Sequence, residues 1–399
     1  MAPPRRVLIV SEHPYPDHAT LRRNVVQLLD EGVAVDLLCL AGSRKPDEPM
    51  RSRTGLRVYR MHLEHRRTPA YRYVLEYLAF FAWALPTAFA LSLRNRYSAV
   101  LVDNMPDFLV FVAAVARLRK ARVVLEMFEL IPELTAARLG LGRGHPALSI
   151  ARWLERVATR WADHLIVVSR QCMEILVSRG VDAGRISVLP NTPPIATTPA
   201  HAANGEPRPP FIVTHCSLVE RYGAQVAIQA LDLLRDDWPD LELRVLGDGE
   251  YKNTLVELAR RLGVGDRVKF RGFLPWAEAM QEIRMAVVGI VAIIADGYGE
   301  LLFPTKLLEY VEHDVPVASA RLPTIADHFP ADTLAYFEPG DAAGLARQVD
   351  RLLRDRGQAE AQARRAKVAM RNFRWDALAP RYMAALGFQA APVAAAPTP

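Results

Sequence analysis

Short hydrophobic runs alternate with amphipathic stretches along the first half of the chain. Runs of four to eight apolar residues suit buried strands, and the stretches between them repeat with the period of a helix. This alternation predicts a parallel sheet with helices on both faces. The predicted strands are 5–10, 33–40, 98–102, 122–126 and 164–168, and the predicted helices are about 20–31, 106–119 and 146–161.

The same alternation returns in the second half, after a stretch rich in Pro, Ala and Thr that shows no periodicity at 192–210. We therefore expect a linker there, followed by a second parallel sheet. The chain then closes with three helical segments. The predicted strands are 211–216, 241–246, 267–271, 286–294 and 315–319, and the closing helices are about 341–355, 358–372 and 375–386.

These patterns predict an α/β protein made of two Rossmann-like, doubly wound parallel-sheet domains that face a central cleft. Open α/β folds bind ligands beyond the carboxyl ends of their strands, so function is expected at the loops there. The expected organisation is an N-terminal domain at 1–191, the linker at 192–210, a C-terminal domain at 211–372, a helix at 373–388 that crosses back to the N-terminal domain, and a disordered tail at 389–399.

Composition narrows the possible functions. The 399 residues carry a net charge of +6, which is mild and dispersed, and no basic stripe with aromatic residues accompanies it. Nucleic acid is therefore not expected as a partner, whereas an anionic ligand or membrane surface fits. Only Cys39, Cys172 and Cys216 occur, with no paired spacing. We therefore expect neither a disulfide framework nor a zinc site, and we expect a reducing compartment. The apolar run 7–10 is too short for the core of a signal peptide, so we expect a cytoplasmic protein.

The most specific motif is FPTKLLEYVEHDVPV at 303–317, between two predicted strands. Pro304 suits the first turn of a helix, and the free amides of Thr305 and its neighbours there attract anions. Lys306 adds a full positive charge, and Glu309 lies on the same face roughly 4.5 Å further along the axis. A diphosphate and a ribose diol would fit that spacing. The alternative is an ordinary surface pair of Lys306 and Glu309.

Two further loops follow predicted strands. In HCSLVERYG (215–223), Arg221 could hold a phosphate by paired hydrogen bonds, or it could belong to a solvated charge pair with Glu220. In LGDGE (246–250), glycine permits a close approach of the backbone to a ligand, although turns of this composition are common.

The chain resembles the family 4 retaining glycosyltransferases of the GT-B fold. The resemblance spans nearly the whole chain and lies in the order and spacing of its motifs. In the first half they are NMPDFLVF (104–111), LEMFELIPEL (125–134), ADHLIVVS (162–169) and VLPNTP (188–193). In the second half they are SLVERYG, VLGDGE, FRGFLP, PTKLLEY and VPVASARLPTIADHF, between 213 and 329.

The resemblance implies a retaining, metal-independent transfer of a hexosyl group from a UDP- or GDP-sugar, with no tightly bound cofactor. The acceptor would be a saccharide or a lipid-linked saccharide in cell-surface polysaccharide or glycolipid synthesis. The 1–191 domain would face the acceptor, and the 211–372 domain would bind the donor, with Glu309 on the ribose, Arg221 and Lys306 on the diphosphate, and Phe273 near the base. The catalytic residues implied are Arg221, Lys306, Glu300 and Glu129, and the donor-binding residues are Glu309, Arg221, Lys306, Thr305, Pro304, Phe273, Gly247, Gly249 and Ser217.

The sequence departs from the family pattern at several places. Leu301 stands where the first carboxylate of a Glu-x7-Glu pair is usual, with Glu300 one residue out of register, and Phe128 stands where relatives often carry a histidine. The loop at 13–23 lacks paired glycines, and Cys216 occupies a common glycine position. Two alternatives to the transferase therefore stay open: a GT-B-like binding or scaffold subunit that has lost activity, and, with less support, a sugar-nucleotide epimerase.

The segment 74–93 is the closest approach to a membrane signal. It nearly reaches the roughly 20 residues of a spanning helix, but Glu76 and Pro86 interrupt it. Arginines flank it on both sides, as in a helix that lies in an anionic bilayer surface. Two interpretations are open: a core helix, or an exposed face carrying Phe80, Phe81 and Trp83 that binds the inner surface of the membrane peripherally.

Overall fold

A computed structural model describes residues 5–42, 54–63, 71–142, 144–192 and 210–388. The chain divides into two compact units. The first comprises Met1–Pro190 with Trp375–Pro399, and the second comprises Asn191–Arg374. Most of the predicted linker (193–209) and the whole predicted tail (389–399) lie outside the described residues.

The first unit is built on a parallel sheet of seven strands in the order β3-β2-β1-β4-β5-β6-β7. The central strands are apolar on both faces, as a sheet covered on both sides requires. The order reverses between β1 and β4. The strands are β1 (Arg6–Tyr15), β2 (Ala34–Ala41), β3 (Leu56–Met61), β4 (Ala99–Asp103), β5 (Arg122–Met127), β6 (His164–Val167) and β7 (Ile186–Val188).

Helices cover the first sheet. They are α1 (Ala19–Asp30), α2 (Tyr71–Arg94), α3 (Ala114–Leu118), α4 (Ile131–Leu139), α5 (Pro146–Trp161), α6 (Arg170–Ser178) and the C-terminal helix of the chain, which is numbered last below. A 3-10 turn, Asp107–Ala113, precedes α3, so the single helix predicted at 106–119 is wrong in its first half.

The second unit repeats this topology with six parallel strands in the order β10-β9-β8-β11-β12-β13. Its order reverses between β8 and β11. The strands are β8 (Phe211–His215), β9 (Glu242–Leu246), β10 (Val268–Gly272), β11 (Val288–Val291), β12 (Val317–Ala320) and β13 (Ala335–Phe337). The helices are α7 (Ala224–Leu233), α8 (Lys252–Arg261), α9 (Trp276–Met285), α10 (Thr305–Glu312), α11 (Pro323–Ala326), α12 (Ala342–Arg354) and α13 (Arg356–Ala369).

The last helix, α14 (Trp375–Ala385), packs on the first unit. Trp375 donates its indole N–H to Gln27 of α1 at 2.9 Å, and the Arg23 guanidinium lies 3.9 Å from the centre of the Trp375 ring. Tyr382 is fully buried in the same core. The chain therefore leaves the first sheet, forms the second, and returns.

Three strands were not predicted: β3, β7 and β13. Two of them have only three residues, too short for a periodic pattern to emerge. The third, LRVYRM in β3, is an edge strand in which polar residues interrupt the apolar ones. These strands form because they pair by backbone hydrogen bonds with a neighbouring strand. The local sequence contains no pattern that reports this pairing.

Candidate functional site

The candidate site of the second unit lies where its strand order reverses, which is the ligand position of open α/β sheets. The loop after β8 carries 216–223, and the chain between β11 and α10 carries 292–304. Pro304 is the N-cap of α10, and no side chain caps this end. The first amides of the helix are therefore available to an anion.

Glu309 is held by an unexpected partner, His215 at the end of β8. Glu309 Oε2 lies 2.6 Å from His215 Nε2, and His215 Nδ1 lies 3.0 Å from the hydroxyl of Tyr310. Burial raises the pKa of Glu309, but the adjacent His215 more than offsets this and holds the pKa below its ordinary value. The carboxylate is therefore charged and fixed in direction, as needed to accept hydrogen bonds from a diol.

Lys306 is buried, with 6 % of its surface exposed. Within the described part of the chain, its ammonium nitrogen has no hydrogen-bond partner, and the ring of Tyr222 is centred 5.6 Å away. Burial lowers the pKa of Lys306, while Cys216 and Glu309 oppose this. Since Lys306 and Glu309 are both buried, the alternative of an ordinary surface pair is wrong. A buried cation without a partner is costly, and an anionic ligand would remove that cost.

Arg221 is also less solvated than a surface charge pair would be. Its Nε donates to Asp296 Oδ2 at 2.6 Å, and its guanidinium lies 4.9 Å from the centre of the Tyr298 ring. Asp296 also accepts from the amides of Tyr298 and Gly299 at 3.1 and 2.8 Å. Burial raises the pKa of Asp296, but these amides and Arg221 together lower it below its ordinary value. The loop 296–299 therefore fixes the position of the Arg221 guanidinium.

Three glycines let backbone segments approach closely beside the site. A Cβ atom on Gly247 would lie 1.9 Å from the carbonyl oxygen of Cys216, and one on Gly249 would lie 2.4 Å from that of Leu218. Gly223 has φ +73, and a Cβ there would lie 1.7 Å from the carbonyl oxygen of Ala292. These glycines are required by the packing of the loops. The close contacts that require these glycines are made to other loops of the protein and do not depend on a ligand.

The other predicted residues of this unit lie at the same edge with different exposure. Thr305 begins α10, and Glu300 accepts a hydrogen bond from the amide of Gly297 at 2.9 Å. Leu301 is buried in the turn Gly299–Leu301. Ser217 is exposed, and Phe273 is 79 % exposed just beyond Gly272 at the end of β10.

Comparison with known proteins agrees with this architecture. The glycosyl transferase 4-like domain family matches residues 18–192, and the glycosyl transferases group 1 family matches residues 198–369. The chain belongs to the family 4-like glycosyltransferases of the GT-B fold. The predicted family and fold are thereby confirmed.

Individual relatives share a modest part of the sequence. A sulfoquinovosyl transferase of Arabidopsis thaliana is 25% identical over 73% of this chain, and the chain covers 58% of that protein. A GDP-mannose-dependent alpha-(1-6)-phosphatidylinositol monomannoside mannosyltransferase of Mycolicibacterium smegmatis is 30% identical over 39% of this chain and 43% of its own length. The chain thus spans about half the length of these relatives.

A solved structure of similar fold is that of Anabaena HepE in complex with UDP-glucose. It superposes with a TM-score of 0.71 at 18% identity and covers 96% of this chain and 99% of its own. At that identity the likeness concerns the fold.

The corresponding edge of the first unit contains a small aromatic cluster. His13, near the end of β1, and His18, the N-cap of α1, stack at 3.8 Å, and Phe128 lies edge-on to both at 5.5 and 5.7 Å. Burial, aided by Arg23, lowers the pKa of His18 to about 4, so its imidazole is neutral at neutral pH. Phe128, which stands where relatives often carry a histidine, is therefore in contact with two histidines from elsewhere in the first unit.

Glu129, the remaining predicted catalytic residue, is half-buried beside this cluster. Its carbonyl oxygen accepts from the Asn104 amide nitrogen at 2.6 Å, and Asn104 also accepts from the amide of Phe128 at 2.9 Å. Asn104 thus fixes the backbone of the 128–129 turn.

Buried carboxyl groups lie at the ends of neighbouring strands of the first unit. Glu126 accepts from Asn24 at 2.8 Å, and burial raises its pKa to about 7. Burial and the nearby Glu126 also raise the pKa of Asp103. Burial raises the pKa of Asp107 to about 7, and burial with Glu76 raises that of Glu12 to about 8. In the described residues no cluster of three or more His, Cys, Asp or Glu side chains could hold a metal ion.

Sequence reasoning missed His215, Asp296 and the His13–His18 pair. His215 was inside the quoted motif 215–223, directly at a strand end, and that position was a sign of its role. Asp296 stands in a loop with no motif, and its pairing with Arg221 becomes visible only in three dimensions.

Proposed function

We propose that the chain transfers a sugar from a nucleotide-diphosphate sugar to a hydroxyl acceptor, and that the second unit holds the donor. The observation that carries this proposal is a pair on one turn of α10: buried Lys306, whose nitrogen has no hydrogen-bond partner among the described residues, and the oriented carboxylate of Glu309. A cation followed by a fixed carboxylate is complementary to a diphosphate followed by a ribose diol. The UDP-glucose in the complex of Anabaena HepE has both groups, and this supports the proposal.

In the proposed reaction, the bond from the sugar C1 to the diphosphate oxygen breaks and a bond from C1 to the acceptor oxygen forms. The acceptor's proton leaves with the departing nucleoside diphosphate. Lys306, Arg221 and the first amides of α10 stabilise the charge that develops on the leaving oxygens, which is an electrostatic form of catalysis. We propose that the chain supplies this charge itself without a metal, and that the configuration at C1 is retained, as the family resemblance implies.

We propose a lipid-linked saccharide as the acceptor, met at the inner face of a membrane by a cytoplasmic protein. The mycobacterial relative supports this because its name specifies a phosphatidylinositol mannoside. Neutral His18 and the polar groups at the strand ends of the first unit would contact acceptor hydroxyls.

The donor can be identified with a thermal-shift screen of UDP-, GDP- and ADP-sugars. A ligand at about 100 times its Kd stabilises by about 2.7 kcal/mol. The sugar nucleotide that gives a clear shift is then tested for slow hydrolysis, and the anomeric configuration of the released or transferred sugar is read by proton NMR. A retained anomer is expected. An inverted product would overturn the retaining mechanism, and no shift with any nucleotide would overturn the donor site.

A GT-B-like binding subunit without activity is the second candidate, and Leu301 in place of a carboxylate is the observation that favours it. Such a subunit would bind the sugar nucleotide but would neither hydrolyse nor transfer it. The same two assays separate the two functions, because binding without turnover supports the subunit and turnover excludes it.

A further inference from the structure

Helix α2 of the first unit has one buried and one exposed face, and both are largely apolar. Its inner face packs on the unit through Phe80, Ala84, Ala88 and Leu91. Glu76 also points inward and forms an ion pair with Arg72 at 3.1 Å. The charge that interrupts this segment in the sequence is therefore hidden from the outer surface. Phe81 is half-buried against Phe108, with ring centres 5.4 Å apart. Phe80 is buried and Phe81 and Trp83 are only half-exposed, so the predicted exposed face with these three residues is wrong.

The outer face is a different stripe, and every exposed residue on it from 74 to 93 is apolar. It runs for about 28 Å, at a rise of 1.5 Å per residue. Its large members are Val74, Leu75, Leu78, Leu85, Phe89 and Leu93, each at least 40% exposed. Contiguous apolar surface of this size marks an interaction site.

Basic residues surround the C-terminal end of this stripe. Arg94, Arg96, Arg119 and Lys120 are all exposed, and Arg119 is tied to α2 by a 2.8 Å hydrogen bond to the carbonyl oxygen of Leu93. No acidic residue occurs from 77 to 102 or from 108 to 125. Leu118, beside these cations, is 84% exposed. The surface therefore combines an apolar stripe with a positively charged edge.

Helix α5 extends the same kind of surface. It packs on the 3-10 turn Asp107–Ala113 on which α2 also packs. Ile150 and Trp153 of α5 are 62% and 61% exposed, with Arg156 exposed one turn later. Tryptophan beside arginine is typical of the boundary between lipid tails and head groups.

We infer that the outer face of α2, with its basic end, docks on an anionic lipid bilayer and lies in the plane of the head groups. By length and composition this helix could also cross a membrane. Its inner face, however, is occupied by the core of the first unit, which a spanning helix would have to leave. A second copy of the chain is a poorer occupant, since a symmetric pairing of this face would bring the cations Arg94, Arg96, Arg119 and Lys120 of one copy close to those of the other. The inference stands on the first unit alone and does not depend on the proposed donor chemistry.

The test is sedimentation of the full-length protein with vesicles, without sugar nucleotide. One set is phosphatidylcholine, and the other contains about one third phosphatidylglycerol, which supplies the anionic surface potential that attracts basic segments. Binding to the anionic set alone, weakened by salt, is expected. Binding to neither set, or equal binding to both, would overturn the inference.

Two pairs of variants locate the surface. Leu85→Gln with Phe89→Gln should reduce the partition coefficient about tenfold or more, because the inserted apolar area is lost. The matched control is Leu233→Gln with Val368→Gln, two similarly exposed apolar residues of the second unit.

Arg94→Gln with Arg96→Gln should reduce the partition coefficient roughly fivefold per charge removed and should weaken its dependence on salt. The control is Arg351→Gln with Arg364→Gln, both exposed in the second unit.

Since all these positions are exposed, the thermal unfolding temperature and the nucleotide-induced thermal shift should not change. Equal binding by the stripe variant and its control would contradict the assignment. So would a wild-type dimer in size-exclusion chromatography that the stripe variant converts to a monomer, because the stripe would then be a protein interface. If either of these results were obtained while nucleotide binding was retained, the proposed donor site would not be affected.

Discussion

The two units share a strand order but carry different ionisable groups near the place where that order reverses. In the second unit, Lys306 is buried without a hydrogen-bond partner in the described chain, and Arg221 is held by Asp296 of a neighbouring loop. In the first unit, the corresponding strand ends carry the buried acids Glu126 and Asp103. The topology fixes where a ligand can bind, and the side chains fix which kind of ligand it is.

We therefore propose that the two units bind different groups. A buried cation is stabilised by an anion, which suits a diphosphate. Buried carboxyl groups with raised pKa values are partly protonated near neutral pH and can donate as well as accept hydrogen bonds. Groups of this kind suit the hydroxyls of a neutral saccharide. We therefore expect changes in the second unit to alter donor use, and changes in the first unit to alter stability and its pH dependence.

The largest effect is expected from Lys306→Met, which keeps the volume and removes the charge. Donor affinity and kcat/KM should fall about 100-fold or more, because charge-assisted contacts to phosphate are lost. The free energy of unfolding should stay equal or rise by about 1 kcal/mol, since a buried cation without a partner disappears. Isothermal titration measures the affinity for the identified donor, and chemical denaturation measures the free energy of unfolding. Lys269→Met, at a half-exposed lysine, is the control. Unchanged donor affinity with lower stability would assign Lys306 to the core alone.

Glu309→Ala should weaken donor use on the order of ten- to a hundredfold, as the charge-assisted hydrogen bond to the ribose is worth roughly 1.5–3 kcal/mol. Glu309→Gln should do less harm because it keeps a hydrogen-bonding oxygen opposite His215. Steady-state kinetics with the donor measure both. If the alanine variant has wild-type donor affinity and turnover, Glu309 is not part of the site.

A smaller effect is expected in the coupling of Arg221 and Lys306. If both act on the same phosphates, the double variant Arg221→Ala with Lys306→Met should lose less than the sum of the two single losses in free energy. Neighbours that share a partner typically differ from additivity by about 0.5–3 kcal/mol. Turnover numbers of the four proteins in the cycle provide the comparison. Strict additivity would mean that the two cations act on separate groups.

The smallest effect on donor use, close to none, is expected from Glu12→Gln in the first unit. Burial and Glu76 raise the pKa of Glu12 from 4.5 to about 8 in the folded protein. The pKa of Glu12 is higher in the folded protein than in the unfolded chain. The contribution of this carboxyl group to the free energy of unfolding is therefore complete below about pH 4.5, where the group is protonated in both states, and is lost as the pH rises towards 8. The variant should therefore be more stable than the wild type at pH 8, by roughly 1–3 kcal/mol, with a flatter profile between these limits.

Denaturation midpoints measured from pH 5 to pH 9 test this expectation. Glu278→Gln, at an exposed position, serves as the control. Parallel profiles for Glu12→Gln and the wild type would show that this carboxyl group does not contribute to the pH dependence.

The elements that carry the site were largely predictable. The helix that starts after Pro304 and places Lys306 and Glu309 on one face follows from local rules for proline and helical spacing. The strands β8 and β11 follow from apolar runs. Local patterns, however, do not report partners distant in the chain. His215 and Glu309 are 94 residues apart, and Arg221 and Asp296 are 75 apart.

Helix α2 shows a limit of local sequence patterns, because they do not determine which of its faces is buried. Nearly every residue from 74 to 93 is apolar, so the sequence determined a hydrophobic helix and the alternation around it determined two Rossmann-like units. It could not determine which side of that helix is buried, because the two sides have the same polarity and no periodic contrast separates them. Packing against the 3-10 turn and the first sheet decided that Phe80 is inside and Phe89 outside. Packing likewise buried Lys306 without a hydrogen-bond partner in the part of the chain that the structure describes, and it placed His215 against Glu309, because burial and contact are properties of the folded chain.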